Sequence, residues 1–491
     1  MAASNPTSGA GKSFNPKPKP KINLLTMFRL GLFQMGLGIM SVLTLGVLNR
    51  IMIKELAIPA TLVAGTIAMH QFVAPSRLWF GQLSDAKKIR GYHRSGYVWI
   101  GAALFAIASF LAVQITWRFG SSLYSQGWTT ATYGWVALLG GVFALYGLAL
   151  SSSSTPFAAL LVDVSDEDNR SKLVGIVWSM LMVGIVIGAI ISSKLLPAAT
   201  SCQEETVNTI SLYSQPLQLA ALQSSINRLF LILPAAVFGL CLASTIGVEK
   251  KYSRYASRST LVDREDKITL SGALKVLTAS RQTGLFFTFL LVMTISLFMQ
   301  EAVMEPYGGE VFGMCVSDTT RLNAFWGTGT LVGISSTGFL IVPRLGKQRT
   351  AQLGCLTVAI SLGFVILSGF SASPQILQSA LVLFGLASGV TTTGAISLML
   401  DLTAAQTAGT FIGAWGLAQA LARALATVSG GAILDVGKQL FSSPVLSYSL
   451  VFALQAVGMI LAVLLLGRVD VSEFQTNAKG AIASVLESEL D

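Results

Sequence analysis

The stretch GQLSDAKKIR, residues 81–90, closes an apolar segment that begins near residue 59. Gly81 allows a second helix to approach closely, and Asp85 can interact with a helix N-terminus or with a basic partner. Three basic residues follow in the same stretch, namely Lys87, Lys88 and Arg90. Their positive charges are suited to contact with lipid headgroups. The stretch therefore predicts a charged junction between two membrane-spanning helices.

The composition of the chain also indicates a membrane protein. Of its 491 residues, 53% are hydrophobic and 11% are charged, whereas soluble domains carry about 25% charged residues. Apolar runs long enough to cross a bilayer recur along the whole chain. The net charge of +10 lies mainly in the tails and loops. We interpret this charge as a feature of topology and lipid contact, and we expect no nucleic acid partner.

We predict an all-α membrane protein with twelve transmembrane helices. The spans cover residues 24–49, 59–80, 95–117, 132–162, 172–196, 226–248, 284–303, 322–343, 350–370, 374–400, 404–434 and 446–468. With the N-terminus inside, the tails and even-numbered loops carry most of the 33 Lys and Arg residues, so both termini are predicted to be cytoplasmic. The first run is followed by no small-residue cleavage pattern, which favours a retained helix over a signal peptide.

An internal repeat divides the chain into two six-helix halves. The segment LLVDVSDEDNRSKLVG, residues 160–175, aligns with LMLDLTAAQTAGTFIG, residues 398–413, and places Asp163 on Asp401. Each aspartate ends the fourth span of its half, as duplication of a six-helix unit predicts. The predicted organisation is a disordered basic tail (1–23), an N-terminal half (24–248), a basic cytoplasmic central loop (249–283), a C-terminal half (284–468) and a cytoplasmic tail (469–491).

The stretch from Gly81 to Arg90 resembles the G-x-L-x-D-x-x-x-[R/K] signature of the major facilitator superfamily. That resemblance implies the superfamily fold of two six-helix halves. It also implies that Gly81, Asp85 and the three basic residues form a conformational latch between spans two and three. The alternative is a generic basic loop on the cytoplasmic side.

Further segments narrow this resemblance. EPYGGEVFGM (305–314), GYHRSGYVWIG (91–101), RLWFGQLSD (77–85) and STPFAALLVDVSDEDNRSKLVGIVWSMLMVG (154–184) are similar to the PucC family, a bacteriochlorophyll-delivery branch of the superfamily. The resemblance implies a role in assembling light-harvesting or other chlorophyll–protein complexes. It implies chlorophyll or bacteriochlorophyll as cargo, chlorophyll-binding proteins as partners, and a thylakoid or intracytoplasmic membrane; the plasma membrane is the alternative.

Ionisable residues at membrane depth are costly and are functional candidates by default. Arg423 lies deep in a span with Gln419 one turn earlier, and a buried arginine needs a partner. Asp401, Glu301 and Glu305 are alternatives for that partner. Further candidates for a cavity lining lie in span one, namely Arg29 and Gln34.

Five residues are candidate pigment contacts: His70, Gln71, Glu301, Glu305 and Glu310. Neutral imidazole can ligate the magnesium of a tetrapyrrole, and oxygen ligands suit this hard metal ion. The alternative for His70 is a helix–helix hydrogen bond. The carboxylates can equally cap and brace the eighth helix, or titrate during proton coupling.

Glycines and cysteines predict helix packing. The pairs Gly184-x-x-x-Gly188 and Gly329-x-x-x-Gly333 permit close helix contact. Two of the four cysteines, Cys241 and Cys355, lie in apolar spans, and a disulfide between the other two, Cys202 and Cys315, is an open alternative.

The sequence leaves three functions open. The first is an assembly factor that handles chlorophyll or its binding proteins. The second is a proton-coupled secondary transporter of a small solute. The third is a non-transporting scaffold for nascent antenna proteins. No catalytic triad, nucleotide-binding loop or hydrolase metal cluster is recognisable, so we expect no enzyme activity and no resident metal ion.

Overall fold

The computed structural model describes residues 20–165, 167–196, 216–253, 281–402 and 408–470. Its regular elements in these ranges are helices, listed here in chain order: α1 (Leu24–Glu55), α2 (Ala60–Phe72), α3 (Ser76–Ala86), α4 (Ser95–Gln126), α5 (Thr130–Val164), α6 (Glu167–Leu195), α7 (Pro216–Thr245), α8 (Val248–Tyr252), α9 (Arg281–Phe298), α10 (Met304–Phe312), α11 (Val316–Ser336), α12 (Val342–Leu345), α13 (Lys347–Ser371), α14 (Pro374–Leu402), α15 (Ala408–Leu440) and α16 (Pro444–Gly467). The prediction of an all-helical protein is confirmed for this part of the chain.

Ten helices in the described ranges are long and apolar enough to cross a membrane. They are α1, α4, α5, α6, α7, α9 with the short 3₁₀ turn that follows it, α13, α14, α15 and α16. The chain is therefore a multi-pass integral membrane protein.

The other two predicted spans coincide with helices that are too short or too polar to count among these ten. Residues 59–80 form α2 and α3, which a turn at residues 73–75 separates. Pro75 precedes α3, and proline interrupts a helix because it lacks the N–H group and clashes with the preceding turn. Residues 322–343 begin within α11, whose threonine, serine and asparagine side chains lower its hydropathy.

The helices pack as two groups that meet mainly along two helix pairs. Helices α1 to α8 contact one another, and α9 to α16 form the second group. Between the groups, α6 packs on α11 and α2 packs on α15. The repeat offset places α6 on α15, so helices related by the internal repeat take part in both contacts.

Both predicted glycine pairs lie at close helix contacts. A Cβ atom at Gly184 would collide with the carbonyl oxygen of Met35, and one at Gly188 would lie 2.9 Å from the Cα of Ile39. In the second half, Gly329 and Gly333 meet backbone atoms of α14 in the same way. The prediction that these glycines permit close packing is confirmed.

Candidate functional site

Three clusters of buried polar side chains are candidates for function. The first lies where α3, α4 and α5 meet, and we name it the Arg94 cluster. Arg94 Nε donates to Asp163 Oδ2 at 3.0 Å, and Arg94 Nη1 donates to Ser84 Oγ at 2.5 Å. The Glu249 carboxylate accepts from the backbone N–H of Ser95 at 2.7 Å. Glu249 thus caps the N-terminus of α4 and ties α8 to the cluster.

The predicted latch residues lie on α3 and directly after it, near Ser84 of this cluster in the sequence. Gly81 faces α5, where a Cβ atom would lie 3.6 Å from Thr155 Cγ2. The backbone of Asp85 belongs to α3, and its side chain is outside the described residues. The three basic residues, Lys87, Lys88 and Arg90, follow at the end of α3. A latch role for these five residues stays a prediction.

Sequence reasoning missed Arg94 and Glu249, which make the buried contacts here. Both lie at the ends of basic cytoplasmic segments in the sequence, where charges normally face lipid headgroups. Asp163, singled out from the repeat, is the partner of Arg94. The side chain of its repeat counterpart Asp401 is outside the described residues.

The second cluster joins α1 to α10 and α11, and we name it the Arg50 cluster. The Arg50 side chain is 1% exposed. Its Nη2 donates to the carbonyl oxygen of Met314 at 2.8 Å, and its Nη1 donates to Thr319 Oγ1 at 2.6 Å. Glu55 lies 3.2 Å from the same guanidinium. One arginine of the first half therefore holds the start of α11 in the second half.

The segment EPYGGEVFGM explains how α10 reaches this arginine. A Cβ atom at Gly309 would lie 3.0 Å from Arg50 Cζ, and one at Gly308 would lie 2.8 Å from Thr319 Cγ2. Tyr307 Oη donates to the carbonyl oxygen of Val365 at 2.9 Å, which anchors α10 on α13. Gly308 and Gly309 thus allow α11 and Arg50 to approach α10 closely on two sides, and Tyr307 fixes the position of α10.

Two of the predicted carboxylates belong to this region. Glu305 is 4% exposed and accepts a hydrogen bond from the side-chain amide of Asn323. Its second oxygen has no hydrogen-bond partner among the described residues. Glu310 lies 2.8 Å from Lys438 Nζ on α15. A role of either carboxylate in pigment contact stays a prediction.

The third cluster lies where the two halves meet inside the bundle, and we name it the central cluster: His70, Gln71, Glu301 and Arg423. Arg423 Nη2 lies 2.9 Å from Glu301 Oε1, and its guanidinium carbon lies 3.8 Å from the centre of the Phe298 ring. Glu301 is therefore the partner of Arg423 among the three alternatives that the sequence left open. Gln419 lies one turn earlier on α15 and is half-buried.

The register between α2 and α15 places Gln71 opposite Arg423. At one end, the Asp435 carboxylate accepts from the backbone N–H of Ala60 at 3.0 Å. A Cβ atom at Gly431 would lie 2.7 Å from the Cβ of Ala64. Gln71 follows Ala64 by about two turns on the same face, and Arg423 precedes Gly431 by about two turns. Gln71 and Arg423 therefore lie at the same height along two antiparallel helices, α2 and α15, that face each other.

His70 points toward α5 from the same level of the bundle. Its Nδ1 lies 2.5 Å from the carbonyl oxygen of Ile67, and its ring packs edge-on against Tyr146 at 6.1 Å between centroids. The Nδ1 contact leaves Nε2 as the ring nitrogen for a ligand, and a backbone partner at Nδ1 is the usual arrangement behind a metal-ligating histidine.

The remaining predicted residues lie elsewhere. Arg29 Nε donates to the carbonyl oxygen of Ala243 at 2.6 Å and so binds the C-terminal end of α7. Gln34 is half-buried in α1. A cavity role for both stays a prediction. Cys315 is disulfide-bonded, Cys241 and Cys355 are buried free thiols, and Cys202 is outside the described residues.

Comparison with protein families gives one match that spans most of the chain. The model of a family described as "PUCC protein" matches residues 47–474. This range includes the Arg94, Arg50 and central clusters.

Curated relatives from Rhodobacter capsulatus match along nearly their whole length. One is named "Bacteriochlorophyll synthase 44.5 kDa chain"; it is 28% identical, over 90% of this chain and 94% of the relative. Another is named "Protein PucC"; it is 27% identical, over 90% of this chain and 92% of the relative. A third, from the puhA-bchM intergenic region, is 27% identical over 90% of this chain and 89% of the relative.

Solved structures share the fold at low sequence identity. A point mutant of the nucleoside transporter NupG superposes with a TM-score of 0.65 at 13% identity, covering 91% of this chain and 99% of that chain. A bacterial homolog of the human lysosomal transporter Spinster, inward-facing and unoccupied, superposes with a TM-score of 0.60 at 14% identity, covering 94% and 98%. The chain therefore shares the fold of these two transporters.

Proposed function

The chain belongs to the PUCC protein family, and on this premise we propose that it is a membrane assembly factor for photosynthetic light-harvesting or chlorophyll–protein complexes. The family match over residues 47–474 is the observation that carries the proposal. The relative named as a bacteriochlorophyll synthase chain supports a link to this pigment. The protein is thus a photosynthesis-associated membrane protein that resides in a thylakoid or intracytoplasmic membrane.

The proposed topology has twelve transmembrane helices and two cytoplasmic termini. Ten candidate spans, the α2–α3 pair and α11 together account for twelve crossings. The excess of Lys and Arg in the tails and even-numbered loops supports the orientation.

The proposed cargo is chlorophyll or bacteriochlorophyll, held at the central cluster. His70 Nε2 is positioned to ligate the pigment magnesium because Nδ1 is committed to the Ile67 carbonyl. Gln71 and Glu301 each have a buried oxygen with no hydrogen-bond partner among the described residues. Such atoms support a site for a polar group. The protein binds and hands over pigment without making or breaking covalent bonds, so it acts as no enzyme.

The proposed partners are nascent light-harvesting or other chlorophyll-binding proteins, together with membrane lipids. Large apolar side chains cover the outside of the bundle, including Leu104 at 51% and Leu367 at 59% exposure. These surfaces suit lipid and transmembrane helices of other proteins. Nucleic acid is not among the proposed partners.

Pigment content tests the proposal directly. We expect the protein, purified gently from its native membrane, to carry chlorophyll or bacteriochlorophyll in stoichiometric amount by absorption spectroscopy. His70→Ala should lose the pigment because it removes the proposed magnesium ligand, and loss of pigment in Glu305→Gln would place Glu305 among the pigment contacts. Arg118→Gln, at an exposed position on α4, is the matched control. Colourless wild-type protein would contradict the proposal.

A second candidate is a proton-coupled transporter of a small solute. The shared fold with transporters and the polar central cluster between the halves favour it. Uptake of a solute into proteoliposomes under a proton gradient, by a preparation without pigment, would support this alternative. Stable antenna-protein partners without pigment would instead support a non-transporting scaffold.

A further inference from the structure

Exposed basic side chains from two segments meet at one membrane surface of the protein. The segments are the turn between α3 and α4 and the short helix α8. We name these side chains the basic patch: Lys87, Lys88, Arg90, Lys250 and Lys251. We propose that the basic patch binds the phosphate headgroup of an anionic phospholipid. The inference adds a defined site to the lipid contact proposed above and does not depend on the pigment.

Contacts between α8 and the start of α4 hold the two segments together. The Glu249 carboxylate of α8 accepts from the backbone N–H of His93 at 2.7 Å. Lys250 Nζ lies 4.8 Å from the centre of the Tyr92 ring in the turn. One candidate span, α4, begins here, and another, Leu219–Tyr252, ends here. The basic patch therefore lies at the surface of the membrane.

Arg90 has a backbone conformation that disfavours a residue with a side chain. Its φ angle is 51°, and that of Gly91 is 82°. On either side, the backbones of Ile89 and Tyr92 exchange hydrogen bonds at 2.8 and 3.0 Å. A two-residue turn with two positive φ angles favours asparagine or glycine at its first central position. The exposed arginine side chain at this costly position indicates a binding role.

The protein's described carboxylates do not neutralise the basic patch. None of its five side chains forms an ion pair with a described carboxylate. The nearby Glu249 carboxylate accepts from backbone N–H groups at the start of α4, and Asp163 pairs with Arg94. The positive charges of the basic patch are therefore available to a partner.

Neighbouring segments whose side chains lie outside the described residues do not reverse the sign of the charge. Asp85 contributes one negative charge. Residues 166–172 carry three acidic and two basic residues, and residues 254–280 carry three acidic and five basic residues. The charge stays positive when all of these residues are counted with the basic patch, which favours an anionic partner.

Exposed apolar side chains border the basic patch. Ile246 is 51% exposed and lies four residues before Lys250. Trp79 is 59% exposed and lies about two turns before Lys87 on α3. Tryptophan is enriched where lipid headgroups meet acyl chains. A molecule with a negative headgroup and apolar chains fits both surfaces, which favours a phospholipid over a soluble anion.

The test measures lipid binding to the full-length protein by native mass spectrometry. The protein, in detergent micelles, is titrated with phosphatidylglycerol or with phosphatidylcholine of the same acyl chains. The dissociation constants of the first bound lipid are then compared. We expect phosphatidylglycerol to bind roughly 10-fold more tightly, because the basic patch attracts its net negative headgroup.

The variant Arg90→Asn separates recognition from folding. Asparagine suits a positive φ angle, so the variant should melt no lower than the wild type, while its preference for phosphatidylglycerol should fall roughly threefold. Lys250→Gln should lower the preference by a similar factor, and the double variant should bring it close to unity. The matched control is Arg344→Asn, at an exposed arginine of α12 in the second half, which should leave the preference unchanged.

Equal binding of both lipids to the wild type would overturn the inference. An equal loss of preference in Arg344→Asn and Arg90→Asn would also overturn it, because general surface charge would then explain the preference. Displacement of phosphatidylglycerol by inorganic phosphate at similar concentration would assign the basic patch to a soluble anion. Displacement by a hexaglutamate peptide would assign it to an acidic protein segment, and either displacement would overturn the inference. The pigment content of the protein tests the proposed function separately.

Discussion

Two arginines inside the bundle, Arg50 and Arg423, differ in how fully their guanidinium groups are paired. Arg50 donates through both of its Nη atoms to carbonyl and hydroxyl oxygens at the start of α11, whereas Arg423 pairs with Glu301 through Nη2. The Nε of each arginine is buried without a partner among the described residues. We assign Arg50 to structure, because its several hydrogen bonds fix the contact between the two halves.

Replacing Arg50 should destabilise the protein. In Arg50→Ala, the carbonyls and the carboxylate that it satisfies stay buried without a partner, which costs about 3 kcal/mol. The melting temperature of the purified protein should fall by several degrees relative to the wild type. The exposed Arg118 supplies the control Arg118→Ala, which should melt like the wild type. Equal melting temperatures for both variants would contradict the assignment of Arg50.

Sequence reasoning at this scale found Arg423 but not Arg50. Arg423 was visible because it interrupts a long apolar segment, which is costly in a membrane. Arg50 lies at a predicted span end, where arginines normally face headgroups. Its burial depends on α10, which lies far away in the sequence. The partner of Arg423 likewise depends on the packing of α9 against α15, and periodicity does not reveal it.

Two glycines allow close helix contacts, and the role of one of them was predictable from its spacing in the sequence. Gly184 allows α6 to touch the backbone of α1, and Gly309 allows α10 to touch Arg50. The first was predictable from its small-xxx-small spacing. The second was not, because the reason for Gly309 is one particular side chain from the other half.

An alanine at Gly184 should separate two helices. Its Cβ atom would collide with the Met35 carbonyl, and a backbone atom cannot move aside as a side chain can. We expect Gly184→Ala to lower the melting temperature and the yield of folded protein. Gly239→Ala on α7 is the matched control, because no atom lies within 4 Å of its added Cβ. A Gly184→Ala protein as stable as that control would refute the close contact.

The two halves of the molecule are joined at one end of the helix bundle. Asp435 binds the start of α2, Asn49 Nδ2 donates to the Ala302 carbonyl at 2.7 Å, and Arg50 holds α11. The Arg94 cluster lies at the other end and ties together elements of the first half.

The proposed topology predicts the location of the C-terminus. A green fluorescent protein fused after residue 491 should fluoresce, and alkaline phosphatase at the same position should be inactive, because both would lie in the cytoplasm. The reverse pattern would contradict the orientation. The same fusions after residue 128 in the α4–α5 connection provide the opposite control.

Composition, apolar runs and the repeat were sufficient to predict a helical membrane protein of two related halves. Four segments, of which EPYGGEVFGM is the most specific, were together sufficient to identify the family. The Glu249 cap of α4 and the contacts between halves were not predictable, because each depends on residues that are distant in the sequence.

The most direct test of the central claim is the amount of light-harvesting complex in membranes of the native host when this gene is deleted. We predict a marked loss of assembled complex per total membrane protein. Wild-type protein and Arg118→Gln should restore the complex, whereas His70→Ala should not. Normal complex levels in the deletion strain, or full restoration by His70→Ala, would contradict pigment-dependent assembly at the central cluster.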